Sequence, residues 1–238
     1  MPEKTTLNEC LNIIESLKSY VEDQINLGFI DIPTKDKNDG LLGPQTNLFT
    51  TNSKAKFTTM EEILKAVRGC HACALCETRT NVVFGSGNEK AGLVFVGEAP
   101  GADEDHQGLP FVGKAGQKLT QIINAIGLSR DEVYIANVLK CRPPNNRDPL
   151  PREIEACEPY LVAQLEIIKQ KVICALGTFA TQTLLRSDLP ISKLRGRFHT
   201  YQGIRLMPTY HPAFLLRNPK FKKDVWEDVQ KVKAEYDK

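Results

Sequence analysis

Three stretches of the chain carry the residue types that bind and transform ligands. Residues 97–113 read GEAPGADEDHQGLPFVG, residues 139–147 read LKCRPPNNR and residues 209–219 read TYHPAFLLRNP. Together they bring Gly and Pro next to His, Asn and acidic side chains. Glycine lets backbone approach a ligand closely. Imidazole, amide and carboxylate groups donate and accept hydrogen bonds and exchange protons. One GxxPG turn would say little, whereas three such segments that meet define a site. The cysteines point to a second chemistry. Cys70 and Cys73 form a CxxC, Cys141 lies in the second stretch and Cys157 follows 16 residues later. Four thiolates so arranged suit a zinc ion or a [4Fe–4S] cluster. Zinc ribbons usually pair two CxxC motifs; here the second pair is split by a loop, which favours a cluster with its wider cage. Cys76 repeats the CxxC spacing with Cys73 and is an alternative ligand. Cys157 also falls in register with Ile154, Leu161, Leu165 and Ile168, as a plain core side chain would. Cys174, inside an apolar run, and Cys10 read as small hydrophobes.

The elements that must position these stretches follow from the apolar pattern. Residues 92–97 (GLVFVG), 132–138 (EVYIANV), 171–176 (KVICAL) and 204–208 (IRLMP) are short apolar runs of strand length, the last paired with 197–201. A helix begins at Thr59, with Glu62 three residues on, and ends at Gly69. Others cover 115–126, through Leu119, Ile122, Ile123 and Ile126; 151–169, with Pro151 in its first turn; a short piece after Gly177; and 219–237. Strands alternating with helices predict an α/β fold with a mostly parallel sheet covered on both faces. Ligands then sit beyond the carboxyl ends of the strands, and each of the three stretches lies where a strand ends. Ahead of this lies an amphipathic helix over 6–27, with Thr6 and Glu9 as a capping box. Residues 35–57 are polar, without a sustained period, and read as a linker. The expected boundary separates an N-terminal extension, 1–57, from a catalytic domain, 58–238.

Composition narrows the class. The 238 residues carry a net charge of +2, with 41 % hydrophobic and 25 % charged residues, close to the globular average. That excludes a wholly disordered chain, a collagen-like repeat and a membrane bundle. No run approaches the ~18 apolar residues of a spanning helix, and no charged–apolar–small pattern marks a secretory signal. Seven cysteines, an odd number, fit a cytoplasmic protein with metal-bound or buried thiols better than a disulfide framework. Residues 1–57 hold six basic and eight acidic side chains, so the remainder is net basic. Residues 189–223 contain eight Lys and Arg, five Phe and Tyr, and no Asp or Glu. Basic residues interleaved with aromatics suit a polyanion with stackable bases; a solvated basic surface over core aromatics fits equally well.

The CxxC, GEAPGADEDHQGLPFVGKAG, NVLKCRPPNNR and TYHPAFLLRNP together resemble the family 4 uracil-DNA glycosylases, the iron–sulfur members of that superfamily. The resemblance covers about residues 60–232. It implies a three-layer α/β/α fold around a four-stranded parallel sheet, and a [4Fe–4S] cluster on Cys70, Cys73, Cys141 and Cys157, with Cys76 unassigned. It implies an enzyme that flips uracil out of single- or double-stranded DNA, hydrolyses the glycosidic bond and leaves an abasic site for base excision repair. Gly97, Glu98 and Ala99 then belong to the base pocket. Phe111 matches the family's stacking ring and Asn137 its uracil-reading amide. His211 matches the histidine that stabilises the leaving anion. Ala99 stands where other members of the superfamily place an Asp, a departure shared with family 4. Glu98 and Asn146 are the first choices for the water and sugar side, with Glu104 and Asp105 as further nearby carboxylates. Arg142 and Arg147 are expected on phosphate. Leu215, Leu216 and Arg217 are expected as the intercalating segment. The chain is expected to act as a monomer, with residues 1–57 free to meet a replication or repair partner. CRPPNNRDP holds no His, which argues against a relative that traps its product covalently. An idle DNA-binding module and a zinc-stapled binding protein are the other readings.

Overall fold

The computed structural model describes residues 57–238. The chain divides into two units, Met1–Asn52 and Ser53–Lys238. The helix expected over 6–27 and almost all of the linker expected over 35–57 lie outside the described residues. The first described helix, Met60–Arg68 (α1), opens as its sequence predicts. Thr59 Oγ1 accepts from Glu62 N at 3.2 Å, and the Glu62 carboxylate accepts from Thr59 N at 3.4 Å. This reciprocal pair satisfies backbone donors that a helix start leaves free.

Six strands form one sheet: Ser86–Gly87 (β1), Leu93–Gly97 (β2), Tyr134–Asn137 (β3), Val172–Leu176 (β4), His199–Tyr201 (β5) and Ile204–Thr209 (β6). Their order is β1-β3-β2-β4-β6-β5. The central four run parallel, and the edge strands β1 and β5 pair antiparallel to β3 and β6. The four-stranded parallel sheet that the resemblance implies is thus the middle of a six-stranded one, and the strand expected over 197–201 is the edge strand β5. The two-residue β1, Ser-Gly, carries no apolar pattern from which to read it.

Alternation along each strand builds the layers. Val94 and Val96 of β2, with Ile173 and Ala175 of β4, pack on one face with α1 and with Pro151–Ile168 (α5), which supplies Leu161 and Leu165. Leu93, Phe95, Val172, Cys174 and Leu176 face the other way. There they meet Lys114–Ala125 (α4) through Leu119 and Ile123, and the C-terminal helix, Lys222–Tyr236 (α9), through Val225, Val229 and Val232. Burial on both faces explains why the central strands read as continuous apolar runs. Leu75–Thr78 (α2), Ala102–Gln107 (α3), Thr178–Leu185 (α6), Ile191–Leu194 (α7) and Pro212–Arg217 (α8) complete the helices of the described residues. None of them is long and apolar enough to cross a membrane. Because β3 lies on one side of β2 and β4 on the other, the chain reverses its winding at the carboxyl ends of these strands. That crevice is where open α/β sheets hold ligands.

Candidate active site

A cleft of about 720 Å³ opens there, walled by segments that follow β2, β3, β4 and β6. Of the predicted site residues, Glu98, Ala99, Phe111, Asn137, Asn146, Arg147, His211 and Arg217 line it. Gly97 backs it: a side chain at Gly97 would overlap Asn137 Oδ1 and the Phe111 ring. Gly97 and Asn137 are register partners at the ends of adjacent parallel strands, so the glycine makes room for the amide. Asn137 is 2 % exposed, yet its Oδ1 has no hydrogen-bond partner. Buried polar atoms are nearly always paired, and this one sits in the cleft wall.

His211 caps the start of α8. Its Nδ1 accepts from Ala213 N at 3.1 Å, so in the neutral ring the proton must sit on Nε2. Burial, with the Arg217 charge adding to it, pushes the imidazole down to about 4. The ring is therefore neutral at pH 7 and offers one N–H donor. Gly177 at the end of β4 has φ +89° and a side chain there would press on His211 Cβ. The imidazole lies 5.6 Å from the Phe111 ring, tilted by 34°. Phe111 itself has φ +54°, a left-handed backbone that costs a bulky residue on the order of 1–3 kcal/mol.

The carboxylates divide by role. Glu98, half-buried in the cleft, is pushed up to about 7, first by burial and then by the Asp148 charge. Glu104 is tied into the loop: Oε1 accepts from Val112 N at 2.9 Å and Gly113 N at 3.0 Å, and Oε2 from Gly101 N at 3.1 Å. Asp105 is buried and accepts from Thr80 N at 2.9 Å and Asn81 N at 3.3 Å. Both fold the loop, whereas Glu98 shares the cleft wall with Asp103 and Asp148. Asn146 reaches the cleft with φ +53°, its Oδ1 accepting from Arg142 Nε at 2.7 Å.

Three expectations for DNA contacts change. Leu215 is 2 % exposed and belongs to the core with Val225 and Val229, so it is no wedge; its neighbour Leu216 is 44 % exposed. Arg147 grips Glu153 with both Nη atoms, at 2.8 and 2.6 Å, and so braces the start of α5 instead of standing free for phosphate. Arg142 holds Asn146, as above, and does not line the cleft. Sequence reasoning also missed Asp148, Thr178 and Phe179 in the cleft wall. Asp148 directly follows the second stretch, but nothing in its spacing sets it apart.

Cys70, Cys73, Cys76, Cys141 and Cys157 line a second, apolar recess with Tyr160. Cys141 Sγ accepts from Arg79 Nη1 at 3.1 Å, Cys157 Sγ from Lys140 N at 3.2 Å and Cys70 Sγ from Ala72 N at 3.5 Å. Donors aimed at sulfur suit thiolates. No three Cys, His, Asp or Glu side chains among the described residues close round a single-ion site. Lys140 adds a matching charge. It is wholly buried, and Nζ donates only to neutral oxygens, Asn137 O at 2.8 Å and Gln164 Oε1 at 2.6 Å. An anionic group in the recess would balance it. The donor set fits an iron–sulfur cluster.

A doubly wound α/β sheet with a polar cleft at its switch point is the class that fold and site define. Residues 84–230 match the Uracil DNA glycosylase superfamily model, and the chain belongs to that superfamily. Its similar relatives place it among the type-4 members. A type-4 uracil-DNA glycosylase of Archaeoglobus fulgidus is 47 % identical over 182 residues, covering 73 % of this chain and 92 % of the relative. One from Saccharolobus solfataricus is 48 % identical over 183 residues, 73 % of this chain and 85 % of its own length. A third, from Thermotoga maritima, is 46 % identical over 179 residues, 74 % and 93 %.

Proposed function

We propose that this chain releases uracil from DNA by hydrolysing its N-glycosidic bond, the first step of base excision repair. The observation that carries this reading is the buried, unpartnered amide of Asn137 in a cleft that Phe111 and His211 also line. Uracil presents an N3–H donor beside an O4 acceptor, and an Asn amide matches the pair with its oxygen and its NH₂. Cytosine reverses the pattern and is refused. Phe111 stacks on the flipped base. Gly97 and Ala99 give it room.

In the reaction, the bond between C1′ and N1 breaks and its electron pair leaves with uracil. Negative charge grows on O2, where the His211 Nε2–H donates to it; a donor fixed in place acts without reorganising. Water adds its oxygen to C1′. Ionised Glu98 takes the water proton and passes it on to uracil N1, and Asn146 orients the water or sugar from the far wall. Cys70, Cys73, Cys141 and Cys157 would hold a [4Fe–4S] cluster, which when bound supplies a cross-link between the segment after α1, the loop after β3 and α5. Leu216 and Arg217 meet the DNA at the cleft mouth. Residues 58–238 carry all of this chemistry as a monomer in the cytoplasm, and residues 1–57 meet a replication or repair partner.

The test is incubation with an oligonucleotide holding one uracil, then alkali. The expected result is strand cleavage at the uracil and free uracil in solution. Intact strands after incubation with folded, brown protein would sink the proposal.

A further inference from the structure

We infer that Arg130 is a positioning residue for uracil release, clamping the left-handed backbone of Phe111 so that its ring faces the flipped base. The inference rests on the stacking role proposed for Phe111. Arg130 lies between α4 and β3, outside every stretch that the sequence singled out. Its Nη2 donates to Pro110 O at 2.8 Å and its Nη1 to Phe111 O at 3.1 Å. Nη1 also reaches Thr120 Oγ1 at 3.3 Å, which itself donates to Gly116 O at 3.1 Å. The planar fork is thus spent on the two carbonyls that bracket the Phe111 residue, and is not left for a phosphate.

Two further contacts close the clamp. The N–H groups that follow Phe111, on Val112 and Gly113, are held by Glu104 Oε1. From the far side, Gly116 in the first turn of α4 lies so close that a side chain would fall on the Phe111 carbonyl. A bulky residue keeps φ +54° only where its surroundings over-determine it. Here carbonyls, amides and a helix backbone each constrain the same peptide groups. The outcome is a ring turned inward, against Gly97 and 5.6 Å from the imidazole of His211. Without the fork, the Pro110 and Phe111 carbonyls lose their donors, and the strained backbone shifts toward ordinary negative φ, which turns the ring away from the base.

The experiment is a double-mutant cycle between Arg130→Met and Phe111→Leu, read by single-turnover uracil release, inhibition by free uracil and thermal melting. Arg130→Met should slow release by about 10- to 100-fold, the scale of a misplaced catalytic shell. Inhibition by free uracil should weaken, while affinity for DNA, dominated by phosphate contacts, stays put. In the Phe111→Leu background the same change should alter the rate by less than about 3-fold, because coupled sites are not additive. Arg130→Lys, which keeps the charge but loses the planar fork, should recover little; it carries the same cycle if Arg130→Met does not fold. Equal losses in both backgrounds, or a rate equal to the parent, overturn the clamp. If Phe111→Leu alone releases uracil at the parent rate, it is the stacking role that fails.

Discussion

The cleft and the cysteine recess are both fed by the segment that leaves β3, yet they treat buried polar atoms in opposite ways. In the cleft, Asn137 Oδ1 has no partner, Glu98 is held near 7 and His211 near 4. The Asn137 oxygen lacks the partner that water would give it, the Glu98 carboxyl holds its proton to a higher pH than it would in water, and the His211 imidazole is held neutral with its Nδ1 already spent on Ala213 N. In the recess, sulfurs accept from Arg79, Lys140 and Ala72, and burial pushes the free Cys157 thiol up to about 12. A permanent anion there would be met by donors already in place, as well as by the buried Lys140 ammonium. The cleft leaves its polar groups open for a ligand that comes and goes, whereas the recess is furnished for one that stays.

Removing a ligand from the permanent site should therefore do more damage than removing a group from the transient one. Cys141→Ala should give colourless, poorly soluble protein, checked by visible absorbance and by yield of folded protein, because binding energy at such a site is folding energy. Brown, folded and fully active protein would mean that Cys141 is not a ligand, with Cys76 the remaining thiol of the recess to serve in its place. His211→Ala should leave the fold intact and slow single-turnover release by roughly 10²–10³-fold, the usual loss of one oxyanion-type donor. DNA affinity should be nearly unchanged. Lost affinity at the parent rate would make His211 a binding residue and break the contrast drawn here.

Glu98→Gln sharpens the comparison through pH. The Glu98 carboxyl, held near 7 in the fold and ordinarily near 4.5, binds its proton more tightly folded than unfolded. Stability therefore falls as pH rises through this window, while the base form needed for water appears. His211, near 4, stays neutral and adds no inflection between pH 6 and 8. The parent's rate should climb through about pH 7. Glu98→Gln should slow release by roughly 10²-fold, flatten that climb and melt at a higher temperature than the parent at pH 8. A variant that keeps the climb places the titrating base elsewhere.

How far the sequence could be read depends on where each feature takes its signal. The central strands were legible because burial on both faces leaves uninterrupted apolar runs, and Asn137 stood out as an amide at the end of one. The helix Ala102–Gln107 was not legible. Its sequence, ADEDHQ, has no apolar stripe, and its start is set by Glu104 reaching back to Gly101 N. Arg147 looked free because its partner Glu153 meets it only once α5 has formed. Arg130 has no local signature at all, since its partners Pro110 and Phe111 are brought to it by packing of α4 against the sheet. Residues whose job is to hold another residue carry their signal in three dimensions.

The smallest effect should come from the cleft's rim, where two adjacent leucines separate the fold from its use. Leu215 lies in the core and Leu216 is 44 % exposed. Leu215→Ala should lower stability by about 2–4 kcal/mol, the range for an emptied core site, with release per folded molecule little changed. Leu216→Ala should leave the melting temperature alone. If Leu216 is the wedge that fills the gap in the stack, its loss should slow release from duplex DNA by a few-fold. Single-stranded substrate has no base partner to replace, so its rate should hold. Measuring both substrates with both variants isolates the wedge from the fold. Equal slowing on single and double strands would show that Leu216 shapes the cleft mouth for the uracil itself.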